Sequence, residues 1–156
     1  LLFFILCGII IFRWTKKLYG PQAGIMALFL FAFSPTVIAH SRFVTTDMAA
    51  LFGVLLGTYF FLQYLEHRST KNLCFSGLAL GVALLTKFSA FLLLPYFVVL
   101  TILAGLITHG SKIKNLFKTV LGTATIFIIG FIFVVWPVYG IHSINYPAER
   151  QKRDTT

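Results

Sequence analysis

The stretch LYGPQAGIMALFLFAFSPTVIAHS, Leu18 to Ser41, decides the fold class. It runs for 24 residues without an Asp, Glu, Lys or Arg. At about 1.5 Å per residue, a helix of that length crosses a hydrocarbon core of roughly 30 Å. Pro21 stands where proline suits a first helical turn. Pro35, late in the stretch, predicts a kink or an end. The rest of the chain repeats this character. Of 156 residues, 58% are hydrophobic and 11% charged, against about 25% charged in an ordinary soluble domain. Eighteen Phe and six Tyr help raise the aromatic share to 17%, and the mean hydropathy is +0.91. These values exclude a soluble globular domain, a disordered chain and a disulfide scaffold. The bilayer is the solvent that fits.

Cutting the chain at its charges gives about six apolar runs. Leu1 to Phe12 is the tail of a first span, followed by Arg13, Lys16 and Lys17. Leu18 to Ser41 is the second. A polar stretch from His40 to Asp47 precedes the third, Met48 to Leu65. Glu66 to Lys71 forms a basic turn. Asn72 to Thr86 is a fourth run of only 15 residues, and Lys87 separates it from a fifth, Phe88 to Ile107. After the basic segment His109 to Lys118, the sixth runs from Thr119 to Tyr139, with Trp136 and Tyr139 placed like interfacial aromatics. The expected architecture is an all-α, polytopic transmembrane helix bundle over residues 1–139. Residues 140–156 are expected to begin an external loop. Leu1 lies inside an apolar run with no basic leader or cleavage site, so the chain reads as an internal piece of a longer membrane protein. Cys7 and Cys74 sit in apolar runs without disulfide or metal spacing and read as small buried hydrophobes.

Charge placement tests the count. The net charge is +9, but its cations stand singly or in small groups between apolar runs. That is the pattern of topogenic charges, not of a nucleic-acid surface. If each run crosses once, one side receives Arg13, Lys16, Lys17, Arg68, Lys71, Lys112, Lys114 and Lys118, and the short loops of the other receive only Arg42 and Lys87. The positive-inside rule puts the first side in the cytoplasm. It favours a crossing for the short fourth run, with a re-entrant segment as the rival. Gly-x-x-x-Gly spacings at Gly20/Gly24, Gly53/Gly57 and Gly77/Gly81 read either as close helix packing or as the ordinary glycine content of membrane helices.

The residues with chemical capacity are few, and they gather on one side. Arg42, Asp47, Lys87 and the tail fall outside in this topology, with His40 close by. Asp47 follows Thr45 and Thr46 and suits a helix N-cap run ahead of Met48. It also suits a carboxylate that binds a metal ion or orients a hydroxyl. Arg42 and Lys87 read as snorkelling cations or as holders of a phosphate. His40 reads as a polar cap, with ligand or general base as the alternative. Two cations and a carboxylate at one face suit a lipid phosphate substrate. The cations would stabilise the leaving phosphate, and the carboxylate would position or deprotonate an acceptor.

Three strings share an order and spacing with a known family. They are Trp14-Thr15-Lys16-Lys17-Leu18-Tyr19-Gly20-Pro21-Gln22-Ala23-Gly24, then Phe33-Ser34-Pro35-Thr36-Val37-Ile38-Ala39-His40 with Thr45-Thr46-Asp47, and last Gly77-Leu78-Ala79-Leu80-Gly81-Val82-Ala83-Leu84-Leu85-Thr86-Lys87-Phe88-Ser89. Over Arg13 to Pro95 the chain resembles the dolichyl-phosphate-mannose protein mannosyltransferases and their bacterial relatives, the lipid A aminoarabinose transferases. The resemblance implies part of a C-type membrane glycosyltransferase domain. It implies an inverting enzyme that moves a sugar from a polyprenyl-phosphate carrier to a protein or lipid acceptor on the external side, among membrane lipids and without nucleic acid. Asp47 matches the family's acidic residue of the second external loop, and Lys87 the basic residue of its Gly-rich, Thr-Lys segment. The family's first-loop carboxylate, its usual candidate base, would precede Leu1. A divalent metal ion, with Asp47 as a ligand, stays open. The expected setting is a multi-pass protein of a prokaryotic plasma membrane. Two other classes compete: a transporter or flippase of lipid-linked sugars, and a scaffold subunit without chemistry. The first predicts mid-membrane charges and repeated halves, which this sequence lacks. The second places no demand on Asp47 or Lys87.

Overall fold

The structure is a computed structural model that describes residues 2–42, 46–108 and 113–144. The side chains of Arg42 and of residues 106–108, 113–116 and 143–144 lie outside the description. The described residues are helices and short links, with no strand among them. In chain order they are α1 (Leu2–Tyr19), α2 (Pro21–Ala32), α3 (Pro35–Arg42), α4 (Asp47–Glu66), α5 (Thr70–Thr86), α6 (Leu93–Thr108), α7 (Ile113–Gly130) and α8 (Trp136–Ile144). A 3-10 turn, Phe88–Leu92, leads into α6, and a π-helical segment, Phe131–Val135, joins α7 to α8. The bundle is the all-α membrane helix architecture that the apolar runs imply.

The proline expectations hold. Pro21 starts α2, after Gly20 turns the chain at φ +91°, a conformation that glycine adopts without strain. Pro35 starts α3, which is bent 61° from α2 across Phe33 and Ser34. Three helical stretches are long and apolar enough to cross a membrane: Asp47–Glu66, Phe88–Gly105 and Phe117–His142. The bent pair α2/α3 makes a fourth if it counts as one span. α1 carries Arg13, Lys16 and Lys17 in its last third, and α5 has 17 residues. Helix also continues through Gly140–Ile144, beyond the sixth apolar run. Residues 145–156 lie outside the described residues, as do 43–45 and 109–112.

Glycine positions set the directions of neighbouring helices. Gly53 lies against Ala83 and Thr86, and Gly57 against Ala79, so α4 and α5 run antiparallel. A Cβ on Gly53 would stand 2.8 Å from the Ala83 Cα. Gly77 meets Ile126 and Ile129, and Gly81 meets Gly130 and Val134, so α5 and α7 run parallel. The Gly53/Gly57 and Gly77/Gly81 spacings are therefore packing sites, where small residues let backbones approach. In the first pair, Gly24 packs on Phe12, whereas Gly20 is a turn residue with nothing near its missing Cβ. Gly122, under the Tyr64 ring, and Gly130 are further close approaches.

Antiparallel pairing carries α5 along the whole length of α4. Its N-cap Ser69 accepts from the Asn72 amide at 3.2 Å. The Asn72 side chain donates to the Gln63 and His67 carbonyls at 3.2 and 2.9 Å, which fastens the tight turn after α4. At the other end, Lys87 stands beside Asp47. The short fourth run is thus an unbroken helix packed along α4, shorter than the three stretches that are long and apolar enough to cross a membrane.

The core lies where α4, α5, α6 and α7 meet. Phe61 and Phe97 stack with ring centroids 3.9 Å apart and planes 5° off parallel. Leu80, Ala83, Leu93 and Ile126 close around them. The Thr101 and Thr123 hydroxyls lie 2.8 Å apart between α6 and α7, where one donates to the other; the accepting hydroxyl donates in turn to a carbonyl of its own helix, Phe97 for Thr101 or Thr119 for Thr123. Pairs of this kind join membrane helices where apolar contact alone gives no preference over lipid. α1 packs parallel to α4 through Phe3/Phe52 and Trp14/Tyr59. Cys7 is buried there, as expected of a small hydrophobe. Cys74 is exposed, because it sits on the side of α5 turned away from its helix neighbours.

Candidate functional site

Asp47, Lys87 and His40 come from three different elements and meet at one end of the bundle. The Lys87 Nζ lies 2.6 Å from Asp47 Oδ1, and the His40 Nδ1 lies 3.2 Å from Asp47 Oδ2. Each carboxylate oxygen therefore faces a different nitrogen. The three side chains are between one third and one half exposed, at 38% for Asp47, 44% for Lys87 and 45% for His40. The group is open to a ligand without being dissolved in bulk water.

Local structure explains why each residue arrives there. α5 stops at Thr86, whose hydroxyl turns back to the Ala83 carbonyl at 2.6 Å. Lys87 then takes an extended conformation (φ −159°, ψ 141°) before the 3-10 turn, where the Ala90 amide bonds back to its carbonyl. That single extended residue leaves the helical path and presents its side chain to the start of α4. Asp47 is the first residue of α4, and an acidic first turn complements the helix dipole. The capping expectation is changed here. The N-cap position is Thr46, which makes no side-chain cap bond, and the Asp47 carboxylate is committed to Lys87 and His40 instead. A charge-assisted partner from another helix outcompetes a local amide. His40 reaches the site because the bend at Pro35 turns α3 across the start of α4. Arg42 is the last residue of α3, and its side chain lies outside the described residues.

Lys87 has three N–H donors, of which Asp47 takes one. Two are left for an anion. Leu84 and Phe88, on either side of Lys87 in sequence, both line an apolar cleft of about 490 Å³ between the start of α6 and the π-helical segment. Phe131, Ile132 and Tyr139 form its other wall. A cation whose sequence neighbours line an apolar cleft suits an amphiphile with a charged head. The Phe-rich composition gave only a general signal for such a cleft. Tyr139, read from sequence as an interfacial aromatic, is one of its lining residues.

A divalent cation does not fit the described residues by themselves. Among them, no three His, Cys, Asp or Glu side chains converge. Asp47 and His40 supply two donors, and an ammonium already occupies one carboxylate oxygen. That is short of the four donors of a zinc site or the six oxygens of a magnesium site.

The pairing of Asp47 with Lys87 was legible only through topology. Forty positions separate them, and two antiparallel helices of similar length return the chain to the same end. Comparison with curated proteins and with solved structures finds no match. The family model of dolichyl-phosphate-mannose-protein mannosyltransferases does match, over residues 1–136. With its apolar helix bundle and a cation–carboxylate site at one end, the chain belongs to that family of membrane glycosyltransferases.

Proposed function

We propose that this chain forms part of the donor site of an enzyme that transfers a sugar from a polyprenyl-phosphate carrier to an acceptor hydroxyl at the external membrane face. The observation that carries the reading is the Lys87–Asp47 pair of 2.6 Å, with Leu84 and Phe88, close to Lys87 in sequence, lining the apolar cleft. In this reading the prenyl chain lies along Leu84, Phe88, Phe131 and Ile132. Lys87 holds the carrier phosphate, with Arg42 as the second cation.

In an inverting transfer, the acceptor oxygen attacks the anomeric carbon as the bond from that carbon to the phosphate oxygen breaks. Negative charge grows on the departing phosphate, and a preorganised ammonium lowers the energy of that state. Asp47 aims the Lys87 side chain and, once a phosphate competes for that ammonium, has an oxygen to orient the acceptor hydroxyl. His40 holds the other oxygen and is auxiliary. The base that takes the acceptor proton is assigned to none of the described residues.

Transfer of a labelled sugar from polyprenyl phosphate to an acceptor, measured on the full protein, tests the reading. Lys87→Ala and Asp47→Asn are expected to abolish or strongly reduce transfer at normal expression. Wild-type activity in both would overturn the site.

A further inference from the structure

A second apolar groove lies away from this site, between α1 and α2. Its volume is about 470 Å³, and its walls include Phe4, Gly8, Phe12, Leu28 and Phe31. Arg13 is the only ionisable residue in the lining. The lining is otherwise apolar, so Arg13 contributes its aliphatic stem and carries its guanidinium to the mouth.

Arg13 has no ion pair or side-chain hydrogen bond among the described residues. A cation at the membrane interface without an acidic partner is one that an anionic headgroup can neutralise. Lys16, three residues on and on the same helix face, lies 5.7 Å from the centre of the Phe12 ring and also lacks an acidic partner among the described residues. Lys17 is different, because Glu66 neutralises it at 3.4 Å. α2 carries no charged residue at all. Arg13 in the lining and Lys16 over the ring of the lining residue Phe12 are therefore two cations without an acidic partner among the described residues.

The groove's length selects its occupant. From Phe4 to Arg13 the helix rises about 13.5 Å, at about 1.5 Å per residue. That is close to one leaflet, about half of a roughly 30 Å core. We propose that the groove binds an anionic phospholipid of the leaflet at the Glu66 end of the bundle. One acyl chain lies along Phe4, Gly8 and Phe12, and the phosphate and acidic headgroup rest on Arg13 and Lys16. This site lies on other helices than the Asp47 cluster and stands whether or not the sugar-transfer reading does.

The test is lipid retention by the full chain, extracted from membranes, stripped with detergent and offered phosphatidylglycerol or phosphatidylcholine of the same acyl composition. Bound lipid is read by native mass spectrometry. Phosphatidylglycerol is expected to be retained about fivefold or more over phosphatidylcholine, since one basic residue near a charged headgroup contributes on that order. Arg13→Gln together with Lys16→Gln should remove the preference, and Arg13→Lys should keep most of it. The thermal unfolding midpoint of each variant identifies any that fail to fold, and Arg13→Lys carries the test in that case. Equal retention of the two lipids, or a preference untouched by the double substitution, overturns the proposal. So does the absence of any retained lipid, which would mean that protein covers the groove.

Discussion

α4 ends in a carboxylate at both termini, and each meets a lysine from another helix. At its start, Asp47 meets Lys87 at 2.6 Å. At its end, Glu66 meets Lys17 at 3.4 Å. Twenty residues of helix separate the two pairs, about 30 Å at 1.5 Å per residue. The pairs look alike in composition and differ in setting. Glu66 and Lys17 are about half exposed, and Lys16, His67, Arg68 and Lys71 are close by in sequence, so Lys17 has substitutes as a partner of Glu66. Both carboxylates have a histidine by the second oxygen, but His67 is the sequence neighbour of Glu66 and stands at 3.8 Å, whereas His40 comes to Asp47 from α3 at 3.2 Å. Leu84 and Phe88, close to Lys87 in sequence, line an apolar cleft. The first pair is a tether between α1 and α4. The second is placed where an anionic amphiphile can compete for the cation. Residue types alone do not make a site; a second partner brought in from another helix and an apolar cleft next to the cation's sequence neighbours do.

The largest expected effect comes from removing the cation beside the cleft. Lys87→Ala should lower the sugar-transfer rate by about 10²- to 10³-fold, the usual loss when one donor to a developing negative charge is deleted. Lys17→Ala should leave that rate within about twofold, because an exposed pair at the far end contributes little to anything. Single-turnover transfer rates on matched amounts of folded protein compare the two. Equal losses would erase the distinction between the ends. Lys87→Arg should recover part of the rate, since it keeps the charge while changing the donor geometry.

Next in size is a packing change that reaches one end only. A side chain at Gly53 meets Ala83 backbone at 2.8 Å and the Thr86 hydroxyl at 3.3 Å, just before Lys87. Gly53→Val should push α5 from α4 there and cost about 1–3 kcal/mol of stability, as overpacking does. Transfer should fall with it, because Lys87 no longer meets Asp47. The Glu66 end should be undisturbed, and a zero-length carbodiimide crosslink between Lys17 and Glu66, whose charged groups lie 3.4 Å apart, should form as in the chain that keeps Gly53. A lowered unfolding midpoint with unchanged transfer would show that the Asp47–Lys87 distance is not what the enzyme uses.

Much of this was legible in the sequence, for definite reasons. Uncharged runs of membrane length and the two prolines fixed the helices and the bend between α2 and α3, since both are local and steric. The alternation of basic turns implied that Asn72–Thr86 runs end to end, and its antiparallel packing on α4 agrees. The membership in the mannosyltransferase family was readable from the ordered strings around Pro21, Pro35 and Lys87. Three things were not legible. Asp47 looked like a cap because cap signals are local, while its partners arrive from positions 40 and 87. The role of Gly130 needed the parallel α5/α7 pairing, which no spacing within one helix encodes. The cleft beside Lys87 depends on the π-helical segment Phe131–Val135, where one extra residue per turn shifts the side chains of the last span. Nothing in Phe-Ile-Phe-Val-Val marks that departure from an α-helix.

The smallest expected effect belongs to the far pair itself. Glu66→Gln removes the charge that faces Lys17 and leaves the hydrogen-bonding shape of the side chain. Exposed pairs of this kind are worth about 0.2–1 kcal/mol and are screened by salt, so the unfolding midpoint should move little and less still at high salt. Trp14 and Tyr59, in edge contact at 5.6 Å, hold α1 to α4 one turn away and do not depend on the charge. Asp47→Asn makes the matched change at the other terminus, where the carboxylate must restrain both Lys87 and His40, and it should reduce transfer strongly at any salt concentration. A thermal melt and a transfer assay on both variants, each at low and high salt, make the comparison complete. If Glu66→Gln proves the more damaging to transfer, the functional end of α4 has been assigned the wrong way round.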